Sequence, residues 1–109
     1  PLGAMYHTHH GTTNAVCMVA VLQFNRPVIE GLIERAAAYL SIDGGFEGFA
    51  AFVDQLNSSL GIPSNLGELG VINPDLESLT RTALTDPCVG GNPVAMTPEN
   101  TRQLYENLL

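Results

Sequence analysis

The stretch His9-His10-Gly11-Thr12-Thr13-Asn14-Ala15, followed by a nearly unbroken apolar run to Leu22 and then by Phe24-Asn25, decides how this chain is read. The run stops well short of the roughly 20 apolar residues a membrane span needs, and Thr13, Asn14, Gln23 and Asn25 bracket it closely, so no transmembrane helix is expected. Apolar on all sides, it predicts a helix buried in the middle of a bundle, from Thr12 or Thr13 to about Phe24; its β-branched residues keep a strand as the rival reading. His7, His9 and His10 crowd against the start of that helix. Neutral imidazole is a common ligand for zinc and ferrous iron, so the cluster is a candidate metal site, set against the plainer reading of loop histidines that cap or bond locally.

Outward from this segment the punctuation is helical. Asn25 and Pro27 open a second element, in which Val28, Ile29, Leu32, Ile33, Ala36, Ala37 and Leu40 form one apolar stripe. Asp43 is the expected N-cap of a third helix, buried through Phe46, Phe49, Ala50, Val53, Leu56 and Leu60 and stopped by Gly61-Ile62-Pro63. Asn73 as N-cap and Pro74 at the first helical position start a fourth, with Leu76, Leu79, Ala83 and Leu84 inward and Pro87 at its end. After the turn-rich Asp86 to Pro93 stretch, Thr97 caps a last helix opened by Pro98, with Leu104, Tyr105 and Leu108 facing inward. The expected architecture is one all-α domain over residues 1–109, a bundle of about five helices with short connections.

Composition narrows the function classes. Four Lys and Arg against eleven Asp and Glu leave a net charge of -7, which repels phosphate backbones and argues against nucleic acid as a partner. The acidic residues are dispersed, as on a solvated face. Cys17 and Cys88 lack the spacing of a metal-binding pair, and Cys17 lies in the apolar run as a reduced thiol would, which suits a cytoplasmic setting. There is no basic stretch before an apolar segment of the kind a signal peptide carries, no Gly-x-Gly-x-x-Gly and no phosphate loop.

The ordered set Pro1-Leu2-Gly3-Ala4, His10-Gly11, Asn14-Ala15, Phe24-Asn25, Leu60-Gly61-Ile62-Pro63, Leu66, Leu69-Gly70-Val71, Asp86, Cys88, Asn92-Pro93 and Thr97 resembles the iron-containing (group III) alcohol dehydrogenases over essentially the whole chain. The resemblance implies the C-terminal helical part of a longer, dehydroquinate synthase-like fold, so the chain is expected to be a fragment, with Pro1-Leu2-Gly3 native sequence. It further implies one divalent metal, Fe2+ or Zn2+, held by an aspartate and three histidines, of which only the last, His10, falls within this chain. His7 and His9 are not carried over as ligands. Asn14 is implied as a residue supporting His10, by fixing the backbone around it, and Cys88 as part of a loop near the substrate channel, though a plain turn role for Asn14 and a half-buried loop thiol for Cys88 fit equally. NAD(P) would bind to an N-terminal nucleotide-binding domain, which becomes the main partner, with a small alcohol or aldehyde as substrate. The surface that meets that domain should be apolar, which favours a homo-oligomer.

With one family ligand, the chain alone is expected to be inactive and to bind neither metal nor nucleotide tightly. Two other readings stand beside this one. A free-standing helical binding or scaffold module would keep the pattern without chemistry, and glycerol dehydrogenases, maleylacetate reductases and dehydroquinate synthases share a related architecture with other reactions. Asn14-Ala15 and the Cys88 to Pro93 match favour the alcohol dehydrogenase branch.

Overall fold

The computed structural model describes residues 1–109, which form five α-helices and one 3₁₀ turn, with no strand. They are α1 (Leu2–Tyr6), α2 (His10–Tyr39), α3 (Gly45–Ser59), α4 (Leu76–Thr85) and α5 (Pro98–Glu106), with the 3₁₀ turn at Val89–Gly91. The all-α bundle is as the sequence predicts, and the strand reading of the apolar run falls away.

The boundaries differ in instructive places. The two elements expected on either side of Asn25 are one 30-residue helix, α2, with Pro27 inside it. An interior proline removes a backbone hydrogen bond and crowds the carbonyl four residues back, at a cost of about 3 kcal/mol. Contacts with α3 on both sides of the proline offset that cost. Before it, Asn57 Nδ2 donates to the Ala15 carbonyl at 2.8 Å. Around it, Arg26 stacks on Phe46 at 4.6 Å from the ring centroid and pairs with Glu30 and Glu47; after it, Ala37 is fully buried.

α1 had no sequence signal, being a single short turn. α3 starts from Gly44 in the left-handed region (φ 92°), and Asp43 makes no side-chain cap there. Asn73 is also left-handed (φ 47°), so it cannot take the extended backbone of an N-cap. Asp75 caps α4 instead, its Oδ1 accepting from Ser78 N–H at 3.0 Å. Thr97 and Pro98 open α5 as read, with a reciprocal capping box between Thr97 and Asn100. Gly61 (φ 69°) ends α3 as expected: Ile62 N–H reaches back to the Asn57 carbonyl at 2.9 Å and Gly61 N–H to Ser58 at 3.1 Å.

The main core brings both ends of the sequence together: Leu2 of α1, Val16 of α2, Leu66 and Val71 of the connection after α3, Leu79 of α4, and Leu108 just past α5. Leu66 N–H donates to the Leu108 carbonyl at 2.8 Å, fixing the last turn. The α2–α3 hairpin buries Ala37 against a face carrying Phe46, Ala50 and Val53.

Two burial expectations need correction. α2 is not enclosed on all sides, since only Thr13, Val16, Asn25 and Ala37 are fully buried in it. In the expected stripe Val28 and Leu32 are each 59% exposed, because α3 covers a single side of α2 and leaves that flank open. Leu56 and Leu60 of α3 are likewise exposed. Helical periodicity puts Met18, Val28, Leu32 and Tyr39 on the same open flank as His10 and Asn14. As one continuous helix, α2 is also long and apolar enough by length and composition to cross a bilayer, which the shorter sequence segments are not. The same helix carries a buried asparagine and packs on α1, α3 and α5, as a helix of a folded bundle does.

Candidate metal-motif site

The site is built on the first turn of α2. His9 is the N-cap: its Nδ1 accepts from Thr12 N–H at 3.4 Å, so the capping role weighed for a loop histidine belongs to His9. The buried Thr13 hydroxyl lies 2.8 Å from the His9 carbonyl, to which it donates, and 2.8 Å from the Thr8 hydroxyl. Together these bonds fix the chain's entry into the helix and so the direction of the next side chain. His7, left-handed at φ 55°, ends α1 and is exposed.

His10 is the first helical residue, with its ring exposed. One turn on, Asn14 Nδ2 lies 3.1 Å from His10 Nε2. With the amide nitrogen donating, Nε2 is the acceptor and Nδ1 carries the proton, a tautomer assigned from the bonding pattern. Asn14 therefore acts on the imidazole itself rather than on the backbone around it, which is more direct than the sequence suggested. The other ring nitrogen, Nδ1, makes no hydrogen bond within the chain.

Two clefts meet at His10. One, of about 400 Å³, is lined by Pro1 to Ala4, His10, Asn14, Cys17 and Asp86 among others. The second, of about 450 Å³, is bounded by Pro1, His10, Asp86, Cys88, Asn92 and Met96, with Ala83 and Val89. A cleft of similar volume between α4 and α5, about 460 Å³, contains no histidine or cysteine and lies apart from this chemistry. The structure thus brings His10, Asn14 and Cys88 to one region, Cys88 being exposed rather than half-buried. Cys88 N–H is held by Asp86 Oδ1 at 2.8 Å. Cys17 borders the first cleft from inside, and burial pushes its thiol up, which keeps it protonated and unreactive.

No group of three His, Cys, Asp or Glu side chains converges here in the manner of a closed metal site. His10, exposed on the first turn of α2, could serve as one of the roughly three or more ligands such sites use. Asp86, Asn25 and Asn92 were visible in the sequence only as parts of a pattern. A polar Asn25 at the end of an apolar helical run was the signal that a distant partner exists, because buried amides must be bonded.

The chain belongs to the Fe-containing alcohol dehydrogenase family: the model of that family's C-terminal part matches residues 1–109. It is 33% identical over 112 residues to the lactaldehyde reductase of Escherichia coli (strain K12), covering 96% of this chain and 29% of the relative. It is 30% identical over 115 residues to the NAD-dependent methanol dehydrogenase of Bacillus methanolicus, covering 99% and 30%. Its fold matches a crystal structure of 1,3-propanediol oxidoreductase with a TM-score of 0.89 and 25% identity, across 99% of this chain and 30% of that one. The chain therefore spans less than a third of the length of these relatives.

Proposed function

We propose that residues 1–109 are the metal-motif-bearing helical part of an NAD(P)-linked, iron-type alcohol dehydrogenase that interconverts a small alcohol and its aldehyde. The observation that carries this is the family match over the whole chain combined with the placement of His10 between two clefts, one lined by Asn14 and the other by Cys88. His10 would supply one ligand to a divalent metal, Fe2+ or Zn2+. Such a metal, when bound, polarises the substrate oxygen while hydride passes to or from the nicotinamide. Within this chain, Asn14 holds the His10 ring through Nε2, the one lone pair of that tautomer, so a metal would bind there by taking the place of the Asn14 amide, and the Cys88 loop walls the substrate side. In this reading the remaining ligands lie upstream of Pro1 in the same enzyme and the nicotinamide site in its N-terminal domain, and the open apolar flank of α2 supports association with that domain or with a second subunit. The 109 residues alone are inactive in this reading.

Titration of chelator-treated protein with zinc and with ferrous iron under anaerobic conditions, followed by calorimetry, tests it. The expected result is no stoichiometric binding tighter than about 1 µM, the weakness of a lone imidazole. Stoichiometric tight binding that His10→Ala abolishes would refute the shared-site reading, because the chain would then hold a site of its own.

A further inference from the structure

Asn25 is 4% exposed in the middle of α2, where the helix's own bonding has no use for a side-chain amide. Its partner stands 67 residues away. Asn25 Nδ2 donates to Asn92 Oδ1 at 2.9 Å, and Asn92 Nδ2 donates back to Asn25 Oδ1 at 2.8 Å. Val94 fixes which atom is which: its N–H donates to Asn25 Oδ1 at 3.3 Å and its carbonyl accepts from Asn92 Nδ2 at 2.7 Å. Turning either amide over would set like groups against each other, so the pair has one orientation.

The segment this pair grips has little else to hold it. From Asp86 to Asn92 the chain winds through short turns, Val89 N–H to the Asp86 carbonyl at 3.1 Å, Gly91 to Cys88 at 3.1 Å and Asn92 to Val89 at 3.2 Å. Its residues are exposed apart from the half-buried Val89 and Asn92. Yet Asp86, Cys88 and Asn92 form one wall of the cleft that His10 borders from the other side. Asn25 lines neither cleft at His10.

We propose that the Asn25–Asn92 amide clasp is a positioning device that holds the Cys88-bearing loop at a fixed distance from His10 and so sets which alcohol or aldehyde fits between them. The role of this cleft as the substrate side rests on the function proposed above. Asn25 is a positioning residue, acting through the loop, and is not a catalytic one. The clasp is made of neutral groups, so it holds the loop across the pH range without adding charge beside a metal ligand.

The test is Asn25→Asp, a change of nearly equal size. The retained oxygen still accepts from Val94 and Asn92, but the donor to Asn92 Oδ1 is replaced by a second oxygen facing it. An ionised carboxylate breaks that half of the clasp, and protonation restores an O–H donor. Burial raises the carboxyl above its usual value of about 3.9, so rescue is expected on mild acidification. Amide exchange by NMR on the 109-residue chain should show Val94 and Asn92 opening about tenfold to a hundredfold faster at pH 7.5, with α3 and α4 unchanged and recovery at low pH. In the complete metal-loaded enzyme carrying this segment, KM for the alcohol should rise about tenfold with kcat held within about threefold, as expected when binding geometry is lost and chemistry is kept. Unchanged loop amides, a rise in all amides together, or a fall in kcat at constant KM would overturn the proposal. Asn92→Ser cuts the clasp from the loop side and should reproduce these effects if Asn25→Asp fails to fold. If the complete wild-type enzyme has no dehydrogenase activity, the functional reading fails, and loop exchange still decides whether the clasp governs the loop.

Discussion

Gly48→Ala should destabilise the fold, although helix propensity taken alone predicts the opposite. Gly48 lies within α3, where replacing an interior glycine by alanine typically gains up to about 1 kcal/mol. A Cβ at this position, however, would lie 2.8 Å from the Asp43 carbonyl carbon and closer still to its oxygen. Cβ contacts under 3.0 Å are essentially never seen, and here the neighbour is backbone, which cannot swing aside as a side chain can. Relief requires shifting the Asp43 to Gly45 entry of α3, with a strain cost of about 1–3 kcal/mol. Strain outweighs propensity, leaving a net loss of about 1–2 kcal/mol and a Tm lowered by about 4–16 °C for a chain of this size. Gly31→Ala provides the internal control. It lies in α2 with Arg35 Nη1 the nearest atom at 3.8 Å, so the propensity gain of about 0.5–1 kcal/mol should appear undiminished. Urea unfolding followed by far-ultraviolet circular dichroism measures both. A Gly48→Ala variant as stable as the parent, beside a stabilised Gly31→Ala, would refute the close approach at Asp43.

Two further outcomes are open to measurement. Burial, with a smaller contribution from Cys17, pushes the Tyr105 hydroxyl up to about 12 from its ordinary 10. Above about pH 10 the unfolded chain therefore loses this proton first, so stability falls between about pH 10 and 12 by roughly 1–2 kcal/mol after allowance for partial exposure. Tyr105→Phe should flatten that alkaline limb; an unchanged slope in urea midpoints against pH would contradict the assignment. Thr80 is buried with a hydroxyl that has no hydrogen-bond partner, so the near-isosteric Thr80→Val should stabilise by about 1 kcal/mol, and a loss of stability would point to a bond the hydroxyl makes in solution.

Local chemistry was legible in the sequence, and long-range chemistry was not. Thr97-Pro98 and Gly61-Ile62-Pro63 mark their helix ends because each signal acts within one turn. Where two local signals competed, the reading failed: Asp75 won the cap from Asn73, and contacts with α3 carried α2 through Pro27. His10 was read as lying just before a helix that would start at Thr12 or Thr13, and it is instead that helix's first residue; its relation to Cys88 depends on how α2 meets the segment after α4, which no spacing encodes. The exposure of Val28 and Leu32 was equally hidden, since an apolar stripe reports that a face is to be covered and not what covers it.

The shared core of Leu2, Leu66, Leu79 and Leu108 has a consequence for synthesis on the ribosome. The α2–α3 hairpin joins neighbours in sequence and can form as soon as Leu60 has emerged, in the microseconds typical of local helical contacts. The main core cannot close until Leu108 is free of the exit tunnel and its carbonyl can meet Leu66. Until then α1 and the early turns of α2, with His10 among them, lack the packing that fixes them. The order of assembly thus leaves His10, which precedes the hairpin in the chain, among the last parts to become rigid.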